Sequence, residues 1–110
     1  MCLDQVWPSV VVPVDRPGVL RVSAVPGGRG NGGAVVTGTL DDLDGIRSIT
    51  GTRLLARDGS TQTIAMTRVD ADTFSFSQTY DNARWRTATF TVVYVDGLGE
   101  TRTLSQTYSV

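Results

Sequence analysis

Three short runs of residues carry the groups with which this chain could do chemistry. The first, Gly28 to Gly33 (GRGNGG), satisfies the G-x-G-x-x-G spacing that cradles a dinucleotide pyrophosphate. That chemistry requires a helix directly after the glycines, because the helix N-terminus holds the phosphates. Here the β-favouring residues Val35 to Thr37 follow instead. The run is therefore interpreted as a flexible strand connection, and no cofactor is expected.

The second run is acidic, with three aspartates in residues 41–44 (DDLD) just before Gly45. An EF-hand loop with Gly45 at its sixth position would need acids at its first and twelfth positions, where the chain has Leu40 and Gly51. Aspartates are also ordinary turn formers, because their carboxylates accept local backbone N–H groups. The run is interpreted as a turn without metal. A calcium site completed by an oxygen from a distant loop is the alternative.

The third run surrounds Trp85, which stands between Arg84 and Arg86 and follows Tyr80 in a turn-like stretch. Two interpretations stay open. An exposed Trp flanked by arginines could stack on a sugar or anchor a protein partner, and Tyr80, Arg84, Trp85 and Arg86 then form a partner-binding site. A buried Trp would instead plug one end of the fold and leave the arginines in solvent, because large aromatic side chains are mostly buried.

The composition argues against catalysis. The chain has no histidine and a single cysteine, Cys2, so acyl-transfer triads lack their imidazole base and thiolate zinc sites lack their ligands. The acids fall in or beside predicted turns, where no deep pocket is expected. The formal net charge is −1, which favours neither nucleic acid nor an anionic membrane as a partner. We therefore expect a protein that is not an enzyme and holds no metal.

The elements that must position these runs are β-strands. Phe74 and Phe76 alternate with hydroxyl-bearing residues, and the same alternation recurs over 87–94 and 103–110. A period of two places the apolar side chains on one face, which a second sheet must cover. We therefore predict an immunoglobulin-like β-sandwich of about seven antiparallel strands over residues 18–110. The expected core is Val36, Leu40, Phe74, Phe76, Phe90, Val92, Tyr94 and Leu104.

Turn signals recur along this domain at the spacing typical of a sandwich. Residues 57–60 (RDGS) predict a hairpin, after which Ile64 and Met66 share one face of the next strand. Residues 70–72 turn the chain into the strand of Phe74. Ile46 and Ile49 are out of phase, and a β-bulge between them would reconcile the two faces.

Residues 1–17 differ from the rest and are interpreted as an extended N-terminal arm. Prolines at 8, 13 and 17 exclude a central strand throughout. An extended apolar arm can add to the sheet edge of a neighbouring protein. The alternative is that the arm folds back as the first strand of its own sandwich. The partner-binding hypothesis for the arm rests on its apolar side chains, Trp7, Val10, Val11 and Val12.

Residues 34–110 resemble the bacterial and phage immunoglobulin-like domains. The resemblance lies in VTGTL at 36–40, DGIRSI at 44–49, TFSF at 73–76 and VVYVDGLGE at 92–100. The last of these is similar to the family's final F–G hairpin. The resemblance implies the sandwich fold and a role in adhesion, spacing or virion decoration, and it implies no catalytic residue.

Two functions follow as expectations. The first is an accessory subunit (decoration, neck or tail) of a tailed-phage virion, which contacts other virion proteins or its own copies through the arm. The lack of a signal peptide at residues 1–17 and of a disulfide pair motivates this hypothesis. The second is a carbohydrate-binding or adhesive module of a secreted bacterial protein, extracellular or on the cell surface. Tyr80, Trp85 and the threonine-rich faces would then bind a host-surface glycan.

Overall fold

The predicted all-β sandwich is confirmed. A computed structural model describes residues 17–27 and 32–110 of the chain. Within these ranges Ala83–Arg86 forms one 3-10 turn, and the remaining regular structure is β-strand. The strands are β1 (Val19–Pro26), β2 (Ala34–Asp41), β3 (Ile46–Ala56), β4 (Thr61–Gln62), β5 (Thr67–Asp70), β6 (Thr73–Tyr80), β7 (Thr87–Asp96) and β8 (Thr101–Ser109).

The strands form two four-stranded antiparallel sheets. One sheet has the order β1-β2-β6-β5 and the other the order β4-β3-β7-β8. This is the ABED-against-CFG order of an immunoglobulin constant-type sandwich, with the two-residue β4 added beside β3. The chain changes sheets after β2, after β4 and after β6, so the central pair of each sheet, β2 with β6 and β3 with β7, joins distant parts of the sequence.

The segment after the hairpin at 57–60 is two short strands, where the sequence predicted one. β4 pairs with β3 in one sheet, and β5 pairs with β6 in the other. Residues 63–66 connect them and cross between the sheets. Ile64 is buried and Met66 packs against the core, as predicted, because both still face the interior during the crossing. This split raises the strand count from about seven to eight.

The core lies between the two sheets and contains nearly all of the predicted residues. Phe90 from β7 meets Phe76 from β6 with ring centroids 4.7 Å apart, which joins the centres of the two sheets. Leu104 is the exception among the predicted residues, since it lies only partly buried at the margin of the core. The confirmed core residues are Val36, Leu40, Phe74, Phe76, Phe90, Val92 and Tyr94.

The predicted β-bulge in β3 is also confirmed. The pairing of β3 with β7 shifts register between Ile46 and Ser48 and again between Ile49 and Gly51. Each shift inserts one extra residue in β3, and the first one brings Ile46 and Ile49 to the same, core-facing side despite their odd spacing.

No helix in the described part of the chain is long and apolar enough to span a membrane.

Candidate functional site

Three turns meet at one end of the sandwich, which we call the loop end: residues 42–45, 71–72 and 97–100. The Asp42 N–H donates to the Asp72 carbonyl at 2.9 Å, and the Gly97 N–H donates to the Gly45 carbonyl at 2.9 Å. A Cβ at residue 97 would come within 1.8 Å of a backbone oxygen of the neighbouring turn, so only glycine fits there. The three turns therefore form one connected surface rather than three separate loops.

Asp42 is a buried carboxylate that joins the two sheets at this end. Its Oδ2 accepts a 2.7 Å hydrogen bond from the Tyr94 hydroxyl, and its Oδ1 accepts one from the Asp44 N–H at 3.0 Å. Burial, together with the adjacent Asp42 carboxylate, raises the pKa of Tyr94 well above its usual range. Asp42 therefore serves as an internal acceptor that fixes the turn at residues 42–45 to β7.

Asp96 is a second buried acceptor, and it fixes the turn between β7 and β8. Its side chain is fully buried, and its Oδ1 accepts hydrogen bonds from the N–H groups of Leu98 and Glu100, both at 2.9 Å. The Arg102 guanidinium donates to Oδ2 at 3.1 Å. Burial alone would raise the pKa of Asp96, but the Glu100 N–H, the Arg102 guanidinium and the Leu98 N–H outweigh it and hold the pKa below its ordinary value of 3.8.

Arg68 extends this network to β5. Its Nη2 donates to the Ile46 carbonyl at 2.8 Å and to the Arg47 carbonyl at 3.1 Å, and its guanidinium lies 4.5 Å from the centre of the Phe74 ring. The Arg47 guanidinium in turn donates to the Gly97 carbonyl at 3.1 Å. These contacts hold the backbone of the loop end in one arrangement, since each carbonyl they occupy belongs to a turn or to the start of a strand.

The loop end also displays apolar side chains to solvent. Leu43 is 67% exposed and Leu98 is 44% exposed, each on the turn that Asp42 or Asp96 fixes. The chain enters β1 at this same end, because Val19 pairs with Asp41, the last residue of β2. Residue 17, the last of the predicted arm, therefore lies at the same end of the sandwich as the exposed leucines.

The opposite end, which we call the aromatic end, contains Tyr80, Trp85 and Tyr108. Trp85 is only 8% exposed and stacks on Tyr80 with ring centroids 5.2 Å apart. The Tyr108 hydroxyl donates to the Trp85 carbonyl at 2.6 Å. Burial raises the pKa of Tyr80 to about 12 and, with Tyr80 nearby, that of Tyr108 to about 12. Trp85 is thus buried as the end-plug interpretation predicted, and its ring is turned inward rather than toward a sugar or partner.

The two arginines beside Trp85 differ from each other. Arg84 is exposed and forms a salt bridge with Asp58 at 2.9 Å, which links the 3-10 turn to the hairpin after β3. Arg86 is half-buried, and its Nε has no hydrogen-bond partner within the described ranges. The expectation that both arginines are solvated therefore holds for Arg84 and is wrong for Arg86.

The remaining predicted site residues lie outside the described ranges. They are Trp7, Val10, Val11 and Val12 of the arm, so the partner-binding hypothesis for the arm stays a prediction. Most of the glycine run at 28–33 also lies outside. The strand β2 begins at Ala34, so the residues after the glycines form a strand and not the helix that a pyrophosphate would need.

The buried acids of the loop end were not predicted as a unit from the sequence. One signal was available, because inward-facing positions of β7 run from Ala88 through Tyr94 and the next one is Asp96. An acid at an inward position must find donors when it is buried. Among the described residues no group of three or more His, Cys, Asp or Glu side chains is arranged to hold a metal ion.

Comparisons of the chain with protein-family models, with curated proteins and with solved structures found no match in any of the three.

Proposed function

We propose that this chain is a non-enzymatic attachment protein, an immunoglobulin-like accessory subunit (decoration, neck or tail) of a tailed-phage virion. It attaches to neighbouring virion proteins through the N-terminal arm and the loop end together. The observation that carries the proposal is the entry of the chain into β1 at the end where Leu43 and Leu98 are exposed. An apolar arm and apolar turn tips at one end can together be covered by a single partner surface.

The rigidity of the loop end supports this role. Exposed leucines on mobile loops would lose conformational freedom on binding, which weakens the complex. Here the turns of Leu43 and Leu98 are each fixed by a buried aspartate, so little further ordering is needed. A preorganised surface of this kind suits protein–protein attachment.

The chemistry of the buried polar groups supports a non-enzymatic role. The carboxylates of Asp42 and Asp96 accept hydrogen bonds from Tyr94, from Arg102 and from turn N–H groups. Their oxygens are thus engaged in holding the fold, and none is directed at a cleft where a substrate would lie. The virion assignment itself rests on the resemblance of residues 34–110 to phage immunoglobulin-like domains.

The aromatic end offers the glycan-binding alternative little exposed ring surface. The rings of Tyr80 and Trp85 stack on each other inside the aromatic end. On the outer face of β7 and β8, hydroxyls pair across the strands, with Thr89 to Thr107 at 2.7 Å and Thr91 to Ser105 at 2.8 Å. In each pair one hydroxyl donates to the other, so part of their hydrogen-bonding capacity is used within the sheet.

The experiment that tests the proposal is co-sedimentation of the chain with virions assembled in the native host, on a density gradient. The full-length Leu43→Asp, Leu98→Asp double variant should fold normally, because both side chains are exposed, and should be lost from the virion fraction. Leu55→Asp, on the exposed face of β3, is the matched control and should remain bound. Virions that retain the double variant at the wild-type level would contradict the proposal, as would a gene neighbourhood without virion structural genes.

A further inference from the structure

A groove of about 410 Å³ runs along the edge of β3, on the opposite side of the sandwich from β1 and β8. Its walls are residues 49–52 of β3 and residues 63–66 of the crossing segment. Half-buried Ile49 and Met66 and buried Ile64 give it an apolar floor. The groove lies away from the exposed leucines of the loop end.

The groove exists because the sheet is incomplete there. β4 pairs with β3 only at Leu54 and Leu55, after which the chain leaves for the other sheet. Within the described ranges no backbone hydrogen bond joins residues 49–52 to residues 63–66. One side-chain contact, from the Thr52 hydroxyl to the Ile64 carbonyl, links the two walls. About four residues of β3 therefore present an open edge, the kind of template to which another strand adds.

Gly51, in the middle of this edge, is a glycine that the fold itself does not require. Its φ is not positive, and a Cβ placed there would meet no atom within 4 Å. Glycine weakens a strand interior, and it often marks a site where another backbone approaches closely. Within the described chain β7 pairs with one side of Gly51 at the second register shift of β3, and the other side is open to an added strand.

The N-terminal arm contains a segment whose length and chemistry match this edge. Residues 9–12 (SVVV) lie between Pro8 and Pro13, so four consecutive residues with N–H groups are available for pairing. Valine favours strands, and alternate valines would place apolar side chains against the apolar floor of the groove. The segment carries no charge that the groove would have to neutralise.

The arm would have to be almost fully extended to bring this segment to the groove of its own molecule. Gly18 lies against the Tyr94 hydroxyl and Leu104, on the β8 side of the sandwich. A strand added beyond β3 would lie about three strand spacings from β8, roughly 14 Å, and the packed core blocks the straight path. A chain that passes over the loop end must then run a further distance of roughly 10 Å along β3, from Ile46 to Ile49. The six residue steps from Gly18 back to Val12 span at most about 21 Å when fully extended.

We propose that the open edge of β3 binds residues 9–12 of a second copy of this chain as an added antiparallel or parallel strand. This inference rests on the proposed use of the arm for attachment, and it names a second copy as what the arm contacts. Each molecule then offers one arm and one groove on opposite sides. Such pairing of unlike surfaces links copies in a ring or a row.

Sedimentation velocity of the full-length chain tests this inference, over a concentration range from about 10 µM to 1 mM that brackets weak strand addition. The wild-type sedimentation coefficient should rise with concentration. Ala65→Arg places a long charged side chain at an exposed position of the groove wall, and aspartates at Val10, Val11 and Val12 disable the arm. Each of these variants alone should remain a monomer.

Mixing the two disabled variants provides the decisive measurement. The arm of the Ala65→Arg chain is intact, and so is the groove of the arm variant, so the mixture should form a dimer of one chain each that does not grow further. One control is Ala83→Arg, at an exposed position of the 3-10 turn. The other is a charge-matched triple aspartate variant at exposed positions of β8, namely Thr103, Ser105 and Thr107. Both controls should associate as the wild type does.

Three outcomes would overturn the inference: a wild-type chain that is monomeric throughout, a disabled variant that associates normally, or a mixture without the mixed dimer. These outcomes are distinguishable from failure of the proposed function. If self-association fails while virion co-sedimentation still depends on Leu43 and Leu98, only the groove inference is wrong. If self-association occurs as described while co-sedimentation does not depend on them, only the virion proposal is wrong.

Discussion

The two ends of this sandwich are closed by different chemistry. At the loop end, a tyrosine hydroxyl donates to a buried carboxylate, from Tyr94 to Asp42, and a second buried carboxylate organises the last turn. At the aromatic end, a tyrosine hydroxyl donates to a neutral backbone carbonyl, from Tyr108 to Trp85, and stacked rings fill the space. Both ends thus tie one element to another through a tyrosine, but of the two the loop end does so through buried aspartates within the described residues.

The two kinds of chemistry hold the ends in different ways. Aromatic rings fill volume, so the aromatic end continues the core, while Val25 and Val110 at that end stay exposed. Buried carboxylates instead organise backbone N–H groups, so the loop end holds its turns rigidly while Leu43 and Leu98 stay exposed. We infer that the first end mainly stabilises the fold and that the second supports a binding surface.

The largest expected effect is the loss of stability when a buried aromatic side chain is removed. Phe90 is fully buried midway between the ends, and Phe90→Ala should destabilise the fold by about 3–5 kcal/mol through lost burial and a cavity. Trp85→Ala should cost a similar amount, about 3–5 kcal/mol, if the aromatic end belongs to the core. Urea unfolding measures both. A loss below about 1 kcal/mol for Trp85→Ala would show that this end is a surface patch and not a plug.

The next effect compares the two tyrosine hydroxyls directly. Tyr94→Phe leaves Oδ2 of the buried Asp42 carboxylate without its donor and should cost about 1.5–3 kcal/mol, as expected for a hydrogen bond to a carboxylate. Tyr108→Phe removes a bond to a neutral carbonyl and should cost only about 0.5–1.5 kcal/mol. Each variant is the other's control, because both delete one buried hydroxyl. Equal losses in urea unfolding would remove the distinction between the ends.

A smaller effect appears as the dependence of stability on pH. The folded pKa of Asp96 lies below 3.8, so the unfolded state takes up the proton first as the pH falls. The stabilisation from this carboxylate is therefore complete above about pH 5 and is lost as the pH falls through 3.8 toward the folded pKa. Asp96→Asn should flatten the fall in melting temperature between about pH 5 and pH 2.

Asp58, near the aromatic end, provides the comparison for this pH effect. Hydrogen bonds from the Ser60 N–H and hydroxyl, with the Arg84 charge nearby, lower its pKa in the same direction. Because Asp58 is exposed, its contribution is screened by salt, and Asp58→Asn should change the acid slope less than Asp96→Asn does. A larger change for Asp58→Asn would mean that the buried acid of the loop end is not the main source of acid sensitivity.

The smallest effect is expected from calcium. The carboxylate oxygens of Asp42 are engaged by Tyr94 and by the Asp44 N–H, and those of Asp41 by Thr73 and Arg21. Millimolar calcium or EDTA should therefore leave the melting temperature almost unchanged. A clear rise with calcium that disappears in the Asp42→Ala, Asp44→Ala double variant would establish a metal site at this turn instead.

Much of the fold could be predicted from the sequence because it depends on local patterns. The alternation around Phe74, Phe76 and Phe90 assigned the inward faces, and the odd spacing of Ile46 and Ile49 indicated the bulge in β3. The candidate site could not be predicted in the same way. Asp42 and Tyr94 are 52 positions apart, and their contact exists only once two strands from different sheets face each other.

What the sequence by itself determined about this protein is therefore its strands, its turns and the side of each strand that faces inward, since side-chain period and turn chemistry are properties of neighbouring residues. The tertiary structure alone decided whether Trp85 is a plug or a platform, which acids are buried, and where the edge of β3 stays open. Those outcomes depend on which distant strands pair and on where the chain crosses between sheets, and no local pattern encodes that choice.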